Sequence, residues 1–226
     1  MSRVVLKLGG RVARAAAADA LALREAGHDV VVVHGAGPQI SVELERRGIP
    51  VSFVDGRRVT SAEALAVVRR SFLEVNVEVC EAIGPDAVGL VGDEIGLRAD
   101  HVPDLGLVGD PLPTAPEAVV RALDAGFVPV VAPLAVHPTL GSLNVNADEA
   151  AAALAVGLAA ERILFVTDVP GVLVDGDVVE AIPADDADRM LDAGELEGGI
   201  VPKLTAAVRA AREGVRAEIG ATSVHA

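Results

Sequence analysis

The sequence predicts an α/β fold, a mainly parallel β-sheet covered by helices, and three observations point there. Short β-branched runs such as VVLKL and VVVVH alternate with longer Ala- and Leu-rich stretches of helical period. No internal repeat, low-complexity tract or linker interrupts the alternation. The composition, 51% hydrophobic and 23% charged over 226 residues, is that of a globular chain with a sizeable core.

Taken in order, the strands are Val4–Leu8, Val30–His34, Ala87–Leu90, Val128–Ala132 and Arg162–Thr167. Helices are expected over Ala13–Ala26, Pro38–Arg47, Ser61–Ile83, Pro116–Ala125, Ala147–Ala159, Ala184–Ala193 and Pro202–Glu213. Thr60 with Glu63 has the spacing of a capping box, and Pro38, Pro116 and Pro202 suit first helical turns. Ile49–Arg58 and Glu94–Asp110 break the alternation with short β-like pieces and Gly or Pro turns, and are expected as hairpins over one edge or face. The whole chain is expected as one domain, with DPLPTA at Asp110–Ala115 separating an N-lobe (residues 1–112) from a C-lobe (residues 113–226).

Charge and aromatic content narrow the function. The net charge is −14, from 33 acidic and 19 basic residues, and there are four Phe but no Trp or Tyr. A basic stripe and aromatic stacking platforms are both missing, which argues against a nucleic-acid partner. An anionic ligand would have to be held by a few local Lys, Arg and helix N-termini. Cys80 is the single cysteine, so no intramolecular disulfide forms; it falls in an apolar helical pattern and is expected in the core. No signal-peptide pattern and no bilayer-length apolar run is visible, so the expectation is a cytoplasmic protein with no membrane partner.

The few basic residues in apolar or Gly-rich surroundings then carry the chemistry. Lys7 lies inside VVLKLGG: either the strand is an edge and Lys7 faces solvent, or Lys7 is buried and needs an anionic partner. Gly9 and Gly10 let the backbone turn and approach a ligand. In VVVVHGAGPQI, a strand, Gly35-Ala36-Gly37 and Pro38 opening a helix offer backbone N–H groups to an anion. The third glycine of a dinucleotide fingerprint is replaced by Ile40, and no Walker-type phosphate loop occurs. His34 is expected to be structural. GRRVT places Arg57 and Arg58 before a helix, where a guanidinium can grip a carboxylate; spacing does not say which of the two points inward. NVNADEAA enters a helix through Asn144, Asn146 and Asp148, one amide more than capping requires. TDVPGV follows a strand and has a tight turn at Pro170-Gly171. In GGIVPKL, Lys203 stands in the first turn of a helix, the electrostatically unfavourable end for a cation unless an anion binds there.

Together and in this order, KLGG, HGAGPQI, GRRVT, NVNADEAA, TDVPGV and GGIVPKL resemble the amino-acid kinase family, over Lys7 to about Arg212. The resemblance implies a three-layer αβα sandwich with a mostly parallel central sheet, an acyl amino-acid site in the N-lobe and an ATP-Mg²⁺ site in the C-lobe. It implies transfer of a phosphoryl group to the side-chain carboxylate of N-acetyl-L-glutamate, in arginine biosynthesis, by a homodimer. Lys7 and Lys203 would stabilise the transition state, with Asp148 holding them. The backbone of Ala36 and Gly37 would meet the reacting end of the substrate, and Arg58 and Asn144 its α-carboxylate. Gly9, Gly10, Thr167, Asp168, Val169, Gly171, Val172, Leu173 and Gly199 would line the nucleotide site. Ala36 departs from the family's usual glycine, and the closing helix and strand are expected to be missing or compressed into Ala217–Ala226. With no helical extension before Arg3, the resemblance also implies insensitivity to arginine.

Overall fold

The computed structural model describes residues 2–9, 13–167 and 169–226, the side chains of 13–16 excepted. In chain order the elements are β1 (Arg3–Leu8), α1 (Ala13–Glu25), β2 (Asp29–His34), α2 (Gly37–Arg46), β3 (Phe53–Val54), β4 (Arg57–Arg58), α3 (Ala62–Ile83), β5 (Ala87–Val91), β6 (Ala99–His101), β7 (Val108–Pro111), α4 (Glu117–Asp124) and β8 (Val128–Ala132). There follow β9 (Leu134–His137), β10 (Gly141–Val145), α5 (Ala147–Gly157), β11 (Arg162–Val166), β12 (Leu173–Val174), β13 (Asp177–Val178), β14 (Ala181–Pro183), α6 (Ala184–Asp192), α7 (Ile200–Arg212), β15 (Arg216–Ile219) and β16 (Thr222–His225).

Eight strands form one sheet in the order β14-β16-β15-β11-β1-β2-β8-β5, parallel except for the β15–β16 hairpin. The alternation of β1 and β2 explains the layers. Val5, Val31 and Val33 face a core shared with α4, α5, α6 and α7, whereas Leu6, Leu8, Val30 and Val32 face one shared with α1, α2 and α3. Each side chain fully buried this way contributes about 1.5–3 kcal/mol. The three-layer αβα sandwich implied by the resemblance is therefore the architecture observed.

All seven helices form where periodicity placed them, with local differences in how they begin. Ser61, not Thr60, caps α3, accepting from the Ala64 N–H, while the Thr60 hydroxyl donates to Arg58 O at 2.7 Å. Pro116 is the N-cap of α4 rather than its first residue, and α7 begins two residues before Pro202. Ile49–Arg58 yields the β3–β4 hairpin, turned by Asp55 and Gly56, both at positive φ. Glu94–Asp110 contributes β6 and β7 to a second sheet, β6-β7-β10-β9, whose Ala99, Ala135, Leu143 and Val145 join the core shared with α4, α5, α6 and α7. Cys80 is half-buried instead of in the core, its Sγ 3.8 Å from Asn76 Oδ1. The hairpin after Thr167 turns at Asp175-Gly176, not at Pro170-Gly171. The closing strand is present as β16, which pairs with β14 and β15.

Candidate active site

β1 is central, hydrogen-bonded to β2 on one side and β11 on the other, so Lys7 cannot reach solvent along an edge. On the same face as Val5, it enters the layer of α5 and is 5% exposed. A buried ammonium there requires a partner, and the N-terminus of α5 supplies one. Asn146 caps that helix, its Oδ1 accepting from the N–H groups of Asp148 (2.8 Å) and Glu149 (3.2 Å). The fixed turn directs Asp148 Oδ1 to Lys7 Nζ at 2.8 Å and to Lys203 Nζ at 3.3 Å. Burial pulls the Lys7 ammonium below its ordinary value; the Asp148 carboxylate opposes that, and the Lys203 charge adds to it.

This triad forms part of the wall of a cavity of about 700 Å³ at the carboxyl ends of β1, β2 and β11, where open α/β sheets bind ligands. The lining includes Gly9, Gly35, Ala36 and Gly37, so the loop after β2 faces the same space as the lysines. α2 begins at Gly37 and aims its N-terminus there, with Pro38 in its first turn. The opposite wall is the β3–β4 hairpin.

Arg58, 6% exposed, lines this cavity; its Nη2 donates to Ser41 Oγ (2.8 Å) and Gly37 O (3.1 Å). Its guanidinium carbon lies 4.5 Å from the centre of the Phe53 ring. Nη1 is buried and has no hydrogen-bond partner among the described residues. Burial lowers the guanidinium's pKa from its ordinary value, yet an arginine remains charged at neutral pH. An orphaned donor on a buried cation is costly, and an oxyanion in the cavity would satisfy it. Asn144, at the end of β10, lines the same space and donates from Nδ2 to Thr60 Oγ1 at 3.0 Å. Arg57 behaves differently: it pairs with Glu149 (2.9 Å) and Asp110 (3.2 Å). Glu149 is 8% exposed, and burial pushes it above the usual carboxylate range against the pull of Arg57.

A second cavity, about 580 Å³, adjoins the first and shares Thr167, Gly199 and Lys203 with it. Val169, Gly171, Leu173, Leu196 and Ile200 also line it. Val172 points into the core, where its N–H donates to Thr222 Oγ1 at 2.8 Å. Gly10 and Asp168 lie outside the described residues. The structure thus gathers Lys7, Gly9, Ala36, Gly37, Arg58, Asn144, Asp148, Thr167, Gly199 and Lys203 around one cavity, with Val169, Gly171 and Leu173 next door. Phe53, Ser41 and the α7 start at Ile200 were not singled out from sequence. Phe53 is one of only four aromatic residues and lies five residues before Arg58, and that rarity was the signal that could have found it.

Such a site, with cations and helix N-termini facing a cleft at the strand ends, is that of an enzyme handling phosphate and carboxylate anions. Residues 2–220 match the amino acid kinase family, and the chain belongs to it. It is 43% identical over 225 residues to the acetylglutamate kinase of Rubrobacter xylanophilus, covering 97% of this chain and 88% of that one. Among solved structures, smu.665 from Streptococcus mutans UA159 superposes with a TM-score of 0.90 at 28% identity, over 99% of this chain and 98% of that one. N-acetylglutamate synthase from Neisseria gonorrhoeae, complexed with coenzyme A and N-acetyl-glutamate, superposes with a TM-score of 0.84 at 25% identity, over all of this chain and 59% of that one.

Proposed function

We propose that the chain is a kinase transferring the γ-phosphoryl group of ATP to the side-chain carboxylate of N-acetyl-L-glutamate, giving the acyl phosphate used in arginine biosynthesis. The observation that carries the choice of acceptor is a pair of separate, uncompensated positive centres in one cavity. One is Arg58, with its unpartnered Nη1; the other is Lys7 and Lys203, two ammoniums sharing the single carboxylate of Asp148. A molecule with two carboxylates fits both centres. Its α-carboxylate goes to Arg58 and Asn144, and its side-chain carboxylate lies between the loop at Ala36 and Gly37 and the lysines.

That carboxylate is ionised at neutral pH, so no general base is required. The barrier is mostly repulsion, since two unit charges 4 Å apart cost about 4 kcal/mol at an effective dielectric near 20. The two ammoniums and the α2 N-terminus offset this as charge develops in transfer. ATP occupies the second cavity, between Val169, Gly171 and Leu173 on one side and Gly199 on the other, and presents its γ-phosphate where the cavities meet at Lys203. Among the described residues no group of three His, Cys, Asp or Glu is placed to cage a metal. Asp148 is already engaged by both lysines. Magnesium would come with ATP and would supply neutralisation of the phosphate charge beside Lys203.

The same reading takes the N-lobe as the acyl-acid side and the C-lobe as the nucleotide side, and the enzyme as a cytoplasmic homodimer. Leu73 and Val77, exposed one turn apart on α3, support a second copy on that helix. Coupled ADP release on N-acetyl-L-glutamate, glutamate, aspartate and UMP tests the acceptor. Activity confined to another acceptor would remove it. Nucleotide binding with function untouched by Lys7→Ala and Lys203→Ala would make the protein a ligand sensor instead.

A further inference from the structure

Arg57 and Arg58 are neighbours on β4, and their side chains leave opposite sides of the strand. Both arginines line the cavity, but Arg58 turns to α2, whereas Arg57 is taken up by Glu149 of α5 and Asp110 of β7. Arg57 Nε lies 3.0 and 3.1 Å from the two Glu149 oxygens. Its Nη2 also reaches Asp110 Oδ1 at 3.2 Å, and Asp110 in turn takes Arg209 Nη1 at 2.7 Å. Arg209 belongs to α7, the helix that carries Lys203, and Glu149 follows Asp148 directly on α5.

Two further contacts repeat the connection independently of charge. Asn146 Nδ2 donates to Gly56 O at 3.1 Å, so the residue that caps α5 also holds the hairpin turn. A Cβ built on Gly56 would stand 3.2 Å from Pro202 Cβ, one residue before Lys203. The hairpin is thereby joined to both helices that place the phosphoryl-facing charges. Arg58, meanwhile, is fixed to the hairpin by the Phe53 ring and to α2 by Ser41.

We propose that Arg57, through Glu149 and Asp110, is a positioning residue that sets the distance between the carboxylate-gripping Arg58 and the Lys7–Lys203 pair, and so fixes the chain length of the dicarboxylic acid accepted. The inference rests on the acceptor reading above. Arg57 is compensated by two carboxylates and is not needed as a ligand for the substrate. Its connections converge on the two elements whose separation a dicarboxylate spans. A hairpin freed from α5 and α7 keeps its arginine but loses the fixed spacing, so acids one methylene shorter or longer become comparable acceptors.

The test compares kcat/KM for N-acetyl-L-glutamate, N-acetyl-L-aspartate and N-acetyl-L-2-aminoadipate in the wild-type chain, Arg57→Met, Glu149→Gln, Arg57→Lys and the double variant Arg57→Met/Glu149→Gln. Arg57→Met is expected to reduce the preference for the glutamate length about tenfold or more, while KM for ATP stays within about twofold. Arg57→Lys should recover part of the preference, and the double variant should be no worse than the poorer single one. An unchanged preference, with kcat/KM falling equally on all three acids, overturns the inference and leaves the acceptor reading intact. So does an equal rise in KM for ATP. If the wild-type chain phosphorylates none of the three acids, the acceptor reading fails and takes this inference with it.

Discussion

At the scale of single residues, two buried side chains show how environment decides role. Arg58 presents a planar fork whose free Nη1 and fixed Nη2 suit a carboxylate. Arg58→Lys keeps the charge but loses the fork and the stacking on Phe53, so KM for the acyl acid should rise at least tenfold with KM for ATP little changed. Steady-state kinetics with each substrate varied in turn checks this, and equal effects on both would contradict it. His34, at the end of β2, is 1% exposed, and its Nε2 lies 3.1 Å from Asn76 Nδ2. An amide N–H can only donate, so Nε2 accepts and the ring proton sits on Nδ1, which is buried without a hydrogen-bond partner among the described residues. Burial lowers the imidazole's pKa to about 4 from 6.5. Between those values the unfolded chain binds a proton that the folded chain refuses, so stability falls as pH falls through the window. The shift corresponds to about 3 kcal/mol, complete near pH 4 and absent above about pH 7. Urea unfolding of the wild type and of His34→Asn at pH 7 and pH 4.5 should show the wild-type curve losing more stability on acidification. Parallel losses would rule out His34 as the source.

At the scale of elements, the proposed nucleotide side depends on a hairpin that the sequence barely marks. Thr222, in β16, is fully buried and its Oγ1 accepts from the Val172 N–H; the Ala221 N–H donates to Pro170 O at 2.8 Å. The loop between β11 and β12, which lines the second cavity, is therefore held from behind by the last two strands. Thr222→Val keeps the shape but leaves that N–H buried without an acceptor, a loss of about 1–3 kcal/mol. KM for ATP should rise several-fold while KM for the acyl acid holds, a split that a general loss of folding would not produce. The contrast with the long elements explains what could be read in advance. β1, β2, β8 and α3 carry five to twenty-two residues of unbroken pattern, enough for period 2 or 3.6 to register. β12, β13 and β14 have two or three residues each, too few for any period; β12 and β13 pair only with each other, and β14 exists because it pairs with the distant β16. The same limit applied within the site. Lys7 and Lys203 were legible because a cation in an apolar strand or at a helix start is costly alone. Arg57 and Arg58 were not separable, because both line the cavity and only the tertiary packing shows that Arg57 is engaged by Glu149 and Asp110 while Arg58 keeps a free Nη1.

At the scale of the whole molecule, a chain of net charge −14 must admit ATP and a dicarboxylate, all of one sign. The sandwich concentrates its useful positive charge at one place, the carboxyl ends of β1, β2 and β11, while acidic residues are spread over the outer helices, as at Asp185, Asp186 and Asp188 of α6. The two fields act over different ranges. Lys7 and Arg58 are buried, so their interaction with a bound anion is weakly screened by salt. The surface charges act through water, where the screening length falls from about 30 Å at 0.01 M to about 10 Å at 0.1 M. Raising ionic strength across that interval therefore removes more of the long-range repulsion than of the short-range attraction. Over this range kcat/KM for both substrates should rise a few-fold, with kcat nearly constant, because the change is in approach and not in the transfer step. Initial rates in sodium chloride at constant free Mg²⁺ provide the measurement. A steady fall of kcat/KM with salt would mean that the cationic pocket, and not the acidic surface, governs capture at a distance.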